Sequence, residues 1–93
     1  MSKSLQTVWL GGNDIGDAGA KAISGALPLN SSLNKLFLGG NAIQDDGAIA
    51  LAGGICKHDC LREVNLGNNK FGERGQQALA NVPWRVKVHG AKI

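Results

Sequence analysis

A chain of 93 residues has room for one domain and no second, and 43% apolar residues exclude a disordered tail. Ten Lys and Arg against seven Asp and Glu leave a net charge of +3, spread along the chain apart from Arg85, Lys87 and Lys92 near its end. This mild excess reads as a solvated surface rather than a nucleic-acid footprint, so no nucleic-acid partner is expected. Two cysteines, Cys56 and Cys60, are too few for a disulfide scaffold and suit a reducing compartment. Met1-Ser2-Lys3-Ser4 holds no signal-peptide core, and no apolar run approaches the roughly 18 residues of a membrane span. A cytoplasmic protein with no membrane partner is the expectation.

Leu5 opens the first element. Val8 and Leu10 alternate with Thr7 and Trp9, the period-2 pattern of a strand with one buried face. Asn13 ends the strand, and its amide, both donor and acceptor, can satisfy backbone groups in adjacent turns. Ile15 brings the chain back to the core. Asp17 then starts a helix, where an acid suits the free backbone donors and the helix dipole. Ala20, Ile23, Ala26 and Leu27 follow at helical spacing and make one apolar face. Gly19 lies early in that helix, where glycine is costly, so a close-approach role is expected.

The same order recurs twice, because Leu5, Leu33 and Leu61 stand 28 residues apart. The second unit reads Leu33, Leu36, Leu38, Asn41, Ile43, Asp45, Gly47, Leu51. The third reads Leu61, Val64, Leu66, Asn69, Phe71, Glu73, Gly75, Leu79. Repeats are placed at about 5–32, 33–60 and 61–82 of a single domain spanning 1–93. Pro83 should cut the third helix short. Val86 and Val88 alternate with charged residues and predict a fourth strand, with Val86 matched to Val64 and Trp84 covering the end of the core. Residues 83–93 are thus expected to form a cap, since terminal repeats depart from the consensus. No helix precedes Leu5, so the first strand should be a sheet edge with apolar residues beneath it, which is open to self-association, covered by a missing repeat of a longer array, or tolerated as it stands.

Leu-x-x-Leu-x-Leu-x-x-Asn followed by a Gly-Ala helix resembles the ribonuclease-inhibitor class of leucine-rich repeats. That class includes ribonuclease inhibitor, the repeat regions of NOD-like receptors and the GTPase-activating protein for Ran. The resemblance implies an α/β solenoid: a right-handed β-α superhelix of about three repeats, with a parallel sheet inside and helices outside. Strands joined by helices of these lengths independently demand parallel crossovers. For function the resemblance implies a protein-binding module. It leaves open a regulator of a GTPase and an end segment of a larger receptor array.

If Val8 and Leu10 point inward, their neighbours form columns on the concave sheet face. With Val86 matched to Val64, the columns are Thr7, Lys35, Glu63, Arg85; Trp9, Phe37, Asn65, Lys87; and Gly11, Gly39, Gly67, His89. Trp9 and Phe37 should stand side by side in solvent, and aromatic residues are enriched among binding hot spots. They centre a predicted partner-binding site, with Lys35, Glu63, Asn65, Arg85 and Lys87 around them. The alternating charges should form cross-strand pairs worth about 0–1 kcal/mol each.

Cys56-Lys57-His58-Asp59-Cys60 contains metal-capable residues but occurs in one repeat only, and reads as a turn with free thiols. Gly11-Gly12-Asn13-Asp14-Ile15-Gly16-Asp17 lacks the endings of a phosphate loop and the spaced acids of an EF-hand. No serine or cysteine is matched with a histidine and an acid for nucleophilic catalysis. No enzyme, cofactor or metal site is expected.

Overall fold

In the computed structural model of the protein, residues 6–27, 32–58 and 60–90 are described. Leu5, Asp59 and the end of the expected cap, Lys92 included, lie outside them. The alternating segments form four strands: β1 (Gln6–Trp9), β2 (Leu33–Phe37), β3 (Glu63–Asn65) and β4 (Lys87–His89). Between them run α1 (Gly16–Ala26), α2 (Asp45–Cys56) and α3 (Glu73–Ala80). All neighbouring strands pair in parallel, in the order β1-β2-β3-β4, and consecutive helices pack against one another. The expected α/β solenoid is therefore the fold.

The inward residues of each unit make one continuous core. Leu36, Leu38, Ile43, Leu51, Ile55, Leu61, Val64 and Leu66 are fully buried. Each such side chain contributes about 1.5–3 kcal/mol. Val8, Leu10, Ile15 and Ile23 of the first unit pack on this core but remain partly exposed.

Asparagine fastens the repeats together. Asn41 Oδ1 accepts the backbone N–H groups of Asn13 (2.7 Å) and Ile15 (3.3 Å), one repeat earlier. Its Nδ2 donates to the carbonyls of Leu10 (2.8 Å) and Leu38 (3.0 Å). Asn69 does the same one unit later, accepting from Asn41 (2.9 Å) and Ile43 (3.0 Å) and donating to Leu38 and Leu66 (2.9 Å each). Each amide thus serves its own turn and the preceding one. Among the described residues, the Asn13 side chain makes only a long bond to the Gly11 carbonyl, at 3.4 Å.

Asp17 and Asp45 lie in the first turns of α1 and α2, as expected, and they also act across the repeats. Neither α1 nor α2 has a side-chain cap from its own N-cap residue. Instead Asp17 Oδ1 accepts the N–H of Gln44, which precedes α2, at 2.7 Å. Asp45 Oδ1 accepts the N–H groups of Gly72 (2.7 Å) and Gly75 (3.0 Å) at the start of α3. The carboxylate meets the orphan donors of the next helix because the helices stack side by side. Glycine makes room for this. A Cβ on Gly47 would lie 2.5 Å from Asp17 Oδ1 and 3.1 Å from Ala20 Cβ, and one on Gly75 would lie 3.0 Å from Asp45 Oδ1 and Ala48 Cβ.

The cysteine-flanked segment is a turn. His58 is 2% exposed, and its Nδ1 accepts the N–H groups of Cys60 (3.1 Å) and Leu61 (2.9 Å). The proton must therefore sit on Nε2, which has no hydrogen-bond partner among the described residues. Cys56 and Cys60 are free and exposed.

The C-terminal end departs from expectation in two ways. Val86 donates its N–H to Pro83 (3.0 Å), closing a turn with Trp84 and Arg85 at its tip. Trp84 is consequently 94% exposed and does not cover the core; Val86, buried behind the turn, does. The turn holds residues 83–86 out of the strand, so pairing with β3 starts at Lys87, which donates to the Arg62 carbonyl. The partners are Glu63 with Lys87, Val64 with Val88 and Asn65 with His89. The fourth strand is thus shifted by two residues from the expected register.

Two pairs of substitutions test these contacts. Asn41→Ala should cost about 2–4 kcal/mol in urea unfolding, because it strands buried backbone groups in two turns, whereas Asn13→Ala should cost under about 0.5 kcal/mol. Gly53, exposed in α2 with open space around it, should gain about 0.5–1 kcal/mol on substitution by alanine. Gly47→Ala, in the same helix, should lose stability despite the same gain in propensity. Equal effects within either pair would contradict the inter-repeat contacts.

Candidate functional site

Val8, Leu36, Val64 and Val88 point toward the helices, so the residues beside them face away. The observed register orders these into two columns. One is Thr7, Lys35, Glu63, Lys87, and the other is Trp9, Phe37, Asn65, His89. Parallel strands hold members of a column about 4.8 Å apart. That spacing suits stacked rings: Trp9 and Phe37 lie with centroids 4.1 Å apart and planes inclined by 11°. Trp9 is 72% exposed, and Phe37 is half-buried beside it. Such a stack contributes about 0.5–1.5 kcal/mol beyond burial.

Glu63 organises the charged column. Its Oε2 meets His89 Nε2 at 2.9 Å, and its Oε1 faces Lys35 Nζ at 3.9 Å. Lys87 pairs with Glu63 in register but makes no ion pair among the described residues. Asn65 Oδ1 accepts the N–H of Gly67 at 2.9 Å, which commits its acceptor to the turn. The glycine column serves the turns as well. A Cβ on Gly11 would meet the Gly39 carbonyl at 3.3 Å, and one on Gly39 would meet that of Gly67 at 3.2 Å.

The sheet face therefore brings together Trp9, Lys35, Phe37, Glu63, Asn65 and Lys87. Arg85 is not with them. It stands at the tip of the preceding turn, where its Nη2 donates to the His58 carbonyl at 3.2 Å. Lys87 lies in the Glu63 column and not beside Asn65, and His89 takes the place beside Asn65. The expected columns place His89 among the glycines, since a turn and not the repeat pattern sets where β4 begins.

Two further surfaces are apolar. Val8, Leu10, Ile23 and Ala26 line a shallow notch beside β1, the first strand of the sheet. Leu79, Val82, Trp84 and Val88 line another at the opposite end. Among the described residues, no group of three or more His, Cys, Asp or Glu could hold a metal ion. No helix there is long and apolar enough to cross a membrane.

The leucine rich repeat family model matches residues 2–24, 29–52 and 57–80. No curated protein matches the chain. The three matched segments follow the three strand–helix units, each closed by its inward leucines and its turn asparagine, and the chain belongs to the leucine-rich repeat family.

Proposed function

We propose that this protein is a non-enzymatic binding module of the ribonuclease-inhibitor-like class, which captures a protein partner on the sheet face opposite the helices. Leucine-rich repeats in general mediate protein–protein interaction. The observation that carries the reading for this chain is the Trp9–Phe37 stack, a rigid aromatic platform left in solvent. Burying it under a partner releases apolar surface from water with little loss of rotamer freedom, because stacking already holds the rings. Lys35, Glu63, Asn65 and Lys87 frame the platform with polar groups, the arrangement of a hot spot and its rim. The free thiols of Cys56 and Cys60 support a cytoplasmic setting.

A second reading is supported by the notch at β1. Val8, Leu10 and Ile23 stay partly exposed, whereas their counterparts Leu36, Leu38 and Leu51 are fully buried under a neighbouring repeat. A second copy of the chain stacked on β1 would give the first unit the same cover.

The two readings have separate tests. Alanine at Trp9 and Phe37 together should weaken capture of a partner, identified by affinity purification and mass spectrometry, by about 30-fold or more, with the circular-dichroism spectrum unchanged. Unchanged capture would remove the platform from the binding site. Light scattering should show a mass above 9.7 kDa that rises with concentration if copies stack at β1. A strictly monomeric mass contradicts that stacking.

A further inference from the structure

The partner surface has a sign and a spacing. We propose that the segment docking on the sheet face is an acidic peptide, carrying an aromatic side chain and a carboxylate about four or five residues from it. This rests on the sheet-face reading and deepens it.

The charge argument begins with Glu63, the one acidic residue on the described strands. Asp14, Asp17, Asp45, Asp46 and Glu73 lie in turns or at helix starts. Glu63 is also committed, with one oxygen on His89 and the other facing Lys35. Lys87 is left without an ion pair among the described residues, and Lys35 is held only at 3.9 Å. The face therefore presents two ammonium groups and a shielded carboxylate, so an incoming anion gains and an incoming cation does not. The Nδ2 of Asn65, whose Oδ1 is spent on Gly67, adds an uncharged donor beside Phe37.

The spacing follows from the strands. Lys87 on β4 is two strands from Phe37 and three from Trp9. Lys87 also stands one column away, two residues or about 6.6 Å along the strand, so at about 4.8 Å per strand it lies roughly 12–16 Å from the platform. An extended peptide advances about 3.3 Å per residue, so about four to five residues bridge the two points. Lys35, beside Phe37 on β2, stands where a second carboxylate next to the aromatic residue would fall.

A nucleic-acid strand also offers rings and negative charge, but the charged column disfavours it. Phosphates repeat along a strand and call for an unbroken row of cations, and Glu63 stands between Lys35 and Lys87.

The test uses the full chain, isotope-labelled, with amide chemical shifts as the readout. The probe is the capped peptide Ac-Tyr-Glu-Gly-Gly-Glu-NH2. It is compared with the analogue bearing lysines for the glutamates, with the analogue bearing alanine for the tyrosine, and with a ten-nucleotide oligothymidylate. The acidic probe should shift the amides of Trp9, Lys35, Phe37, Glu63 and Lys87, and bind at least about tenfold more tightly than either analogue. Charge reversal, Lys35→Glu with Lys87→Glu, should reverse the preference between the acidic and basic peptides. Lys35→Gln with Lys87→Gln should weaken the acidic probe without disturbing resonances elsewhere. If the basic analogue binds the sheet face as tightly, the acidic assignment fails while the sheet-face reading stands. Tighter binding of the oligothymidylate to that face overturns the peptide class. Shifts confined to other surfaces, or no binding by any probe, overturn the inference and leave the sheet-face reading to the partner-capture experiment.

Discussion

Asn41 and Asn69 each place one amide where the backbone groups of two consecutive turns converge. Neither turn can satisfy those groups alone, since the chain reverses there and leaves strand and helix ladders unfinished. A side-chain oxygen that takes two N–H groups, and a nitrogen that gives to two carbonyls, complete both turns at once. Burial makes the arrangement stringent. Asn41 is wholly excluded from solvent, and a polar group there costs about 1–3 kcal/mol if unpaired. The repeat is therefore a unit that needs its neighbour for polar satisfaction as much as for apolar cover.

That coupling fixes the register of the sheet, and the register builds the surface proposed to bind. When one turn is locked to the next, residues 28 apart come into line. Trp9 falls beside Phe37, and Lys35 beside Glu63. On the opposite side the same alignment sets Asp17 against the start of α2 and Asp45 against the start of α3. Small residues there, Gly47 and Gly75 above all, let the helices close to the distance the carboxylates require. Asp17 and Asp45 are spent in holding helices together, and the strand face carries the lysines, one glutamate and the aromatic pair.

The parts of this architecture legible in the sequence are those whose causes are periodic. Inward leucines and valines, turn asparagines and helix glycines recur because every repeat meets the same neighbour, and Trp9 beside Phe37 follows from that period alone. The parts that were not legible have causes outside the period. Asp17 and Asp45 were recognised as helix-start acids, but nothing in their spacing says that the helix served is the following one. Trp84 reads as a core cover by its apolarity, yet the Pro83–Val86 turn sets it at a tip. The same turn holds residues 83–86 out of the strand and delays pairing to Lys87. This moves Arg85 off the sheet face, sets Lys87 against Glu63 and brings His89 to it. A local turn thus sets one end of the candidate site, while the repeat pattern sets the other.

Native-state hydrogen exchange on the unmodified chain addresses the amide coupling directly. The N–H groups of Asn13, Ile15, Asn41 and Ile43 lie in turns, where exchange is ordinarily fast, but each donates to the asparagine of the next repeat. The account predicts that Asn41 and Ile43 exchange as slowly as the strand-end amides of Leu38 and Leu66. Exchange at the rate of unprotected peptide would contradict it.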